Sequence, residues 1–420
     1  MPIQEQAADA EKPLPCIARQ PILTADENVF GYELLFREDP EQNRFVSDRE
    51  TATCQTIDTL NSIGLDVLCD GALAFVNCTQ QMLVKEYFLL LPPDEIVLEI
   101  QENVPADASV VGACQRLKHK GYFIALDNFV PGDAREALVP YADFLKVDIR
   151  KVPGAGAAAL AKQHGSKSRR MLAQKVETRD GFLTAQKDGF TYFQGYFFQH
   201  PQRMRVRKIP ASRTTYLRLL QAVSKQEPDF LEIEELVKHE ASLCHRLLRY
   251  LNSPLLGLSS PVQSVRHGLN LLGERELVRW VRMATTLVMG QDRPSELVHA
   301  SLVRARFCEL IAPKVQHGES DLFLLGVLSL MDAILEVPMG LIVDHLSLDP
   351  ATKAQLLCGK SGGSTPLSPI YDLMVAREAG DWEKVTSLGK QLNLSLFFMN
   401  KAYTEAMKWS HEINAVQGPV

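Results

Sequence analysis

The feature that most constrains this chain lies between residues 17 and 198, where eight short apolar runs of strand type alternate with longer amphipathic stretches. The runs are 17–23 (IARQPIL), 29–36 (VFGYELLF), 73–78 (LAFVNC), 95–100 (EIVLEI), 122–129 (YFIALDNF), 143–149 (DFLKVDI), 170–176 (RMLAQKV) and 191–198 (TYFQGYFF). Strands separated by helix-length segments specify a mostly parallel sheet crossed by helices. Eight of them in this span fit a compact (β/α)8 barrel. Two of the intervening stretches, 51–64 and 107–121, read as helices, the second stopped by Gly121. The first connection, TADEN at 24–28, is turn chemistry too short for a crossover helix. The first strand is therefore expected antiparallel to its neighbour.

Beyond His200 and Pro201 the pattern changes. A basic segment, 203–208 (RMRVRK), and Pro210 lead into apolar residues recurring at helical spacing in 214–223, 244–251, 277–289, 322–335 and 382–394. The expected organisation is a polar tail over 1–14, an α/β domain built as a modified (β/α)8 TIM-like barrel over 15–205, and an all-α domain over 206–410. The basic stretches 203–208 and 166–170 carry no interleaved aromatic residues, so they read as solvated segments and not as nucleic-acid patches.

Composition narrows the function classes. Among 420 residues, 46% are hydrophobic and 23% charged, the balance of a globular protein, and the net charge of −6 provides no overall positive field for a nucleic-acid polymer or an anionic membrane. The longest apolar stretch, 322–331, is broken by Ser329 and falls far short of the roughly 20 residues that span a bilayer. The eight cysteines form no CxxC pair and the N-terminus lacks an export pattern, which reads as buried thiols in a cytoplasmic protein.

In such a barrel the C-terminal strand ends line the site. Here they carry Glu33, Asn77, Glu99, Asp127, Lys146 with Asp148, and Gln194. Any one of these alone is an ordinary satisfied polar group. Together, three carboxylates and an amide oxygen at one rim form the all-oxygen donor set that Mg²⁺, Mn²⁺ or Ca²⁺ prefers. Lys146 and Arg37 add cationic partners for a phosphate.

Residues 16–201 resemble the EAL domain, the cyclic-di-GMP phosphodiesterase family. The resemblance rests on Glu33-Leu34-Leu35-Phe36-Arg37 for ExLxR with Gln20 and Pro21 before it, Asn77, LEIQE with Glu99 and Glu102, Asp127-Asn128-Phe129-Val130 for DDFG, Lys146-Val147-Asp148 for LKxD, Ala173 to Thr178 for AExVET, and Gln194-Gly195-Tyr196 through Pro201 for QGYxFxxP. It implies that Glu33, Asn77, Glu99 and Asp127 are metal ligands. It further implies catalytic roles for Glu33, Asp127 and Lys146, and cyclic-di-GMP contacts from Gln20, Arg37, Gln194 and Tyr196. The chain departs from the pattern at Asn128 and Gln174, where amides replace carboxylates, and at Val130-Pro131, where a glycine is lost. An amide is a weaker neutral ligand and no general base, so one Mg²⁺ or Mn²⁺ is expected to bind, the second site to be lost, and hydrolysis to be absent or strongly reduced.

Residues from about 208 to 400 resemble the HDOD domain through LCHRLLRYLNSP (243–254), SVRHGLNLLGERELVRWV (264–281) and FLLGVLSLMDAILEVPM (323–339). None of the ten histidines precedes an Asp, and the motif position reads Met331-Asp332, so an HD-type metal hydrolase is not expected. The expectation is a cyclic-di-GMP signalling protein in which a degenerate barrel binds nucleotide and the helical domain engages a protein partner. A slow phosphodiesterase releasing linear pGpG and a scaffold that binds neither nucleotide nor metal remain as alternatives, and a homodimer is compatible with all three.

Overall fold

The computed structural model describes residues 16–37, 60, 63–152, 154–199, 211–225, 227–256, 262, 265–359 and 364–417. The tail, most of the stretch at 51–64 and the basic segment 203–208 lie outside them.

All eight expected strands form. They are β1 Cys16–Thr24, β2 Val29–Arg37, β3 Leu73–Cys78, β4 Ile96–Ile100, β5 Phe123–Leu126, β6 Phe144–Asp148, β7 Arg170–Gln174 and β8 Tyr192–Gln194, closed into a barrel in chain order. β1 runs antiparallel to both β2 and β8, while every other pair is parallel. Because β1 is reversed, its first residues lie at the same rim as the last residues of β2, with Cys16 opposite Arg37 and Gln20 opposite Glu33. The barrel floor is packed by Ile22, Phe75, Val97, Ala125, Phe144 and Leu172, with Phe30 and Tyr192 against them. That plug excludes water from below, so polar groups above it are accessible from the rim alone.

Helices α1 Leu65–Cys69, α2 Gln80–Val84, α3 Ala108–His119, α4 Ala155–His164 and α5 Arg179–Lys187 surround the sheet. In α3 the Asp107 carboxylate accepts from the backbone of Ser109 and Val110, and the chain leaves through Gly121 at φ +92°, the expected stop. The runs at 122–129, 170–176 and 191–198 were each expected to extend further than the strands do. β5 ends at Leu126, before Asp127, and β7 gives way to Lys175 at φ +58°. After β8, Gly195 at φ +149° brings the backbone so close to Val176 that an added Cβ would lie 2.1 Å from its carbonyl oxygen. The chain then turns into a 3-10 helix over Phe197–Gln199.

The C-terminal region is helical, comprising α6 Ala211–Ala222, α7 Phe230–Lys238, α8 Ala241–Leu251, α9 Val265–Met289, α10 Ser295–Ile311, α11 Leu322–Leu328, α12 Met331–Leu335, α13 Met339–Val343, α14 Pro350–Cys358, α15 Ser368–Ala379, α16 Trp382–Gln391 and α17 Leu396–Gln417. α9 is broken at Gly273, where φ is +70°. The apolar run at 322–335 is likewise divided between α11 and α12, as Ser329 turns its hydroxyl back onto the Gly326 carbonyl.

The two regions share a continuous apolar core. α15 packs along β1 and α17 reaches α1, where His411 meets Asp70 at 2.8 Å. On the outer face of the hairpin, the buried Arg19 guanidinium lies over the Tyr32 ring and donates to the Leu68 carbonyl, and the Tyr32 hydroxyl donates to Glu296 of α10 at 2.6 Å. Among the described residues no helix is long and apolar enough to cross a membrane. Cys69, Cys78, Cys114 and Cys308 are buried as expected, whereas Cys244 and Cys358 are only half-buried.

Candidate functional site

Parallel strands carry their last inward-facing residues to a common level, so register alone gathers Asn77, Glu99 and Lys146 from β3, β4 and β6. The reversed β1 and its partner β2 add Gln20 and Glu33, and β8 adds Gln194. Lys146 is wholly buried, and its ammonium is the centre of the arrangement. It donates to Glu33 Oε2 at 2.8 Å and to Glu99 Oε1, and lies 3.8 Å from Asp127 Oδ1. Burial disfavours the charged form of this lysine, but the adjacent Glu33, Glu99 and Asp127 outweigh it and hold the pKa above the ordinary range. Burial would also raise Glu33, yet Lys146, Gln194 and Asn77 together keep its carboxyl below the usual value. Glu99 goes the other way. Its burial and the neighbouring Glu33 push it well up against the pull of Lys146.

The two amides that replace carboxylates have definite partners. Gln174 Nε2 donates to Asp127 Oδ1 and Asn128 Nδ2 to Asp127 Oδ2, both at 2.9 Å. Each oxygen of Asp127 is thus occupied by an N–H that an aspartate or glutamate in the same place would not supply. Asn128 adopts φ +48°, a conformation that asparagine tolerates better than most residues.

Three buried acceptor oxygens around this cluster receive no hydrogen bond, namely Glu99 Oε2, Gln174 Oε1 and Gln194 Oε1. Buried polar groups are ordinarily satisfied. Oxygens left without donors beside carboxylates are what a hard cation would satisfy, so the donor set fits a divalent ion once Lys146 withdraws from the carboxylates. As the side chains stand, no three or more of the described His, Cys, Asp and Glu residues are arranged to hold a metal ion, and Lys146 lies among the carboxylates.

Asn77 donates to Glu33 Oε1 at 3.5 Å, and Gln194 Nε2 bridges Glu33 Oε2 at 2.6 Å and Gln20 Oε1 at 3.1 Å. Gln20 in turn donates to the half-buried Tyr196 hydroxyl at 3.4 Å. Arg37 ends β2, and of it the strand position alone is described. Asp148 accepts from the backbone and side chain of Arg150, while Glu102 is exposed.

Two supporting residues escaped the sequence reading. Gln101 donates to Asn77 Oδ1 at 3.3 Å. Buried Arg135 donates to the carbonyls of Ile100 and Asp127 and to Asp133, holding the segment that carries Asp127 and Asn128. The Val130-Pro131 loop closes as a turn, Asp133 N to Val130 O at 3.1 Å, with Gly132 at φ +71°. No periodicity marks an arginine that acts on backbone carbonyls eight and thirty-five residues away. In the helical region, Met331 is fully buried and Asp332 caps the backbone of Ala333.

Comparison with known proteins divides the chain in the same order. The family description for the EAL domain matches residues 15–201, and that for the HDOD domain matches residues 209–335. The Bacillus subtilis protein YuxH, described as uncharacterized, is 31% identical over 407 residues, which cover 94% of this chain and 98% of that protein. The Vibrio cholerae protein named cyclic di-GMP phosphodiesterase CdgJ is 34% identical over 407 residues, covering 95% of this chain and 93% of its own. Among solved structures, Klebsiella pneumoniae BlrP1 in a calcium and cyclic-di-GMP complex aligns with a TM-score of 0.38 at 18% identity, over 47% of this chain and 58% of that one.

Proposed function

The chain belongs to the family in which an EAL domain is followed by an HDOD domain, and from that premise we propose that its barrel mouth binds cyclic-di-GMP together with one divalent cation and hydrolyses it slowly at most. The observation that carries this reading is the pair of amides on Asp127. Hydrolysis by two metals needs carboxylates on both ions, and here the positions beside Asp127 supply N–H donors that cover its oxygens. Glu33, Asn77, Glu99 and Asp127 would hold the single cation as three carboxylates and one amide oxygen. When bound, that ion would supply positive charge to a phosphate oxygen and lower the pKa of a water.

The remaining residues act through binding and orientation. Lys146 keeps the carboxylates from repelling one another while the cation is absent and, once released from them, offers an ammonium to the phosphate. Gln20, Gln194, Tyr196 and Arg37 line the arc of rim beside Glu33, and the guanidinium of Arg37 matches a phosphate by a two-pronged hydrogen bond. Gln174 cannot take a proton from water at neutral pH, which removes the general base that a carboxylate would provide there. The helical domain is the output module, acting by contact with a second signalling protein.

A second reading, a working phosphodiesterase releasing linear pGpG, is favoured by the name of the Vibrio relative and by the extent of its match to this chain. Calorimetric titration with cyclic-di-GMP in Mg²⁺ and in EDTA, with chromatography of the recovered nucleotide, separates the two. Saturable heat with intact nucleotide recovered supports the binding reading. Conversion to pGpG that disappears in Glu33→Ala supports the enzyme. No heat under either condition removes both.

A further inference from the structure

The helical region grips the barrel mouth through four consecutive residues at the end of α15. Arg377 Nη1 donates to the Ile17 carbonyl at 2.6 Å. Glu378 accepts from Gln199 Nε2 at 2.5 Å and from Arg304 Nε of α10 at 2.6 Å. The carbonyl of Ala379 accepts from Gln20 Nε2 at 3.4 Å. Gly380, at φ +68°, rests on the hairpin so closely that a Cβ there would lie 3.0 Å from Leu35 Cδ1 and 3.4 Å from Ala18 Cβ. Every barrel partner belongs to the mouth end of β1 and β2 or to the turn after β8, the arc that also carries Glu33 and Gln194. These four residues lie beyond residue 335, outside both matched family regions.

One chain of amides joins this grip to the carboxylate cluster. Gln194 Nε2 uses one hydrogen on Glu33 Oε2 and the other on Gln20 Oε1, and Gln20 Nε2 then reaches Ala379. The Gln194 oxygen is buried and unsatisfied, so donation alone fixes the orientation of its amide. A cation on Glu33 Oε2 would compete with Lys146 and Gln194 for the lone pairs of that oxygen. Displaced from Glu33, the Gln194 amide would turn its unsatisfied oxygen toward the positive charge, and Gln20 would lose its donor. A ligand in the mouth that takes the Gln20 amide would compete with the Ala379 carbonyl for it.

From this geometry we infer that the α15 end, Arg377 to Gly380, is a latch whose closure on the barrel rim opposes loading of the mouth, with Gln194 and Gln20 as the positioning residues that couple the two. The inference rests on the binding reading above. Coupling between sites is reciprocal, so loading the mouth loosens the latch and cutting the latch tightens loading.

The test uses the full chain. Hydrogen exchange is compared with and without cyclic-di-GMP plus Mg²⁺, and the dissociation constant is measured by calorimetry for the parent and for Glu378→Ala, a change outside the carboxylate cluster. Loading is expected to speed exchange over residues 377–385 and to leave the barrel strands protected. Glu378→Ala is expected to bind about 5-fold tighter or more. Heat in the variant alone also supports the latch, as a parent closed against ligand. Equal affinities overturn the latch while leaving the binding reading intact, and absence of heat in both proteins overturns the two together. Should Glu378→Ala fail to fold, exchange in the parent decides, and an unchanged pattern on loading overturns the latch whatever the variant does.

Discussion

Gln174 Nε2 stands 2.9 Å from Asp127 Oδ1, and Asn128 Nδ2 stands at the same distance from the other oxygen, so each oxygen of this carboxylate accepts from an amide. The two amides and Lys146 thus supply the donors around this carboxylate. Restoring acids at positions 128 and 174 replaces two donors by two charges facing Asp127, which stabilises only a state containing cations.

Asn128→Asp combined with Gln174→Glu is accordingly expected to lower the melting temperature in EDTA and to raise it in Mn²⁺. Hydrolysis of cyclic-di-GMP should rise at least about tenfold over the parent, consistent with gain of a general base. Differential scanning fluorimetry and a chromatographic assay for pGpG measure the two effects. A variant whose melting temperature ignores Mn²⁺ would show that these positions do not face the ion.

Lys146→Met leaves Glu33 and Glu99 buried without their cation. Breaking a buried ion pair from one side costs roughly 3–5 kcal/mol. Urea unfolding in EDTA should show that loss, and Mg²⁺ should recover part of it by replacing the ammonium. Equal losses with and without Mg²⁺ would contradict an ion site at these carboxylates.

The seam between the domains should confer a pH dependence through Glu296. Burial pushes its carboxyl up to about 6, against the pull of Arg19 and the Tyr32 hydroxyl, with Glu378 and Asp70 adding to the rise. The native state thus holds this proton more tightly than the unfolded chain does. Its contribution to stability is fully present below about pH 4.5 and is lost as pH rises through about 6, a change of roughly 2 kcal/mol. Glu296→Gln removes the titration, so the urea midpoint of the parent should fall relative to that of the variant as pH rises from about 4.5 through about 6. Curves that stay parallel from pH 4.5 to 7 would refute the assignment.

Gly195→Ala places a methyl group against the Val176 carbonyl in a conformation that disfavours any side chain. The cost should be about 3 kcal/mol. Because the displaced turn carries Tyr196 and Gln199, nucleotide affinity should fall along with stability. Chemical denaturation and calorimetry on the same preparation test both. A destabilised variant that binds normally would place the turn outside the ligand site.

The sequence by itself determined the strand count, the reversed first strand and the set of polar residues at the rim. Those are local properties: strand-type runs, a connection too short to cross over, and the alternation that sends every second side chain inward. The residues that set the site apart, Asn128 and Gln174, were equally visible, since they are departures from a motif at known positions. Only the tertiary structure decided what those residues do. That Lys146 stands among the carboxylates, that both amides converge on Asp127, and that Arg135 and Gln101 brace Asp127 and Asn77 depends on side chains meeting across strands far apart in the chain. The latch lies furthest from sequence reasoning. Gln20 and Ala379 are 359 residues apart, and Arg377 reaches a backbone carbonyl, a group that every residue possesses and that no pattern of side chains can mark.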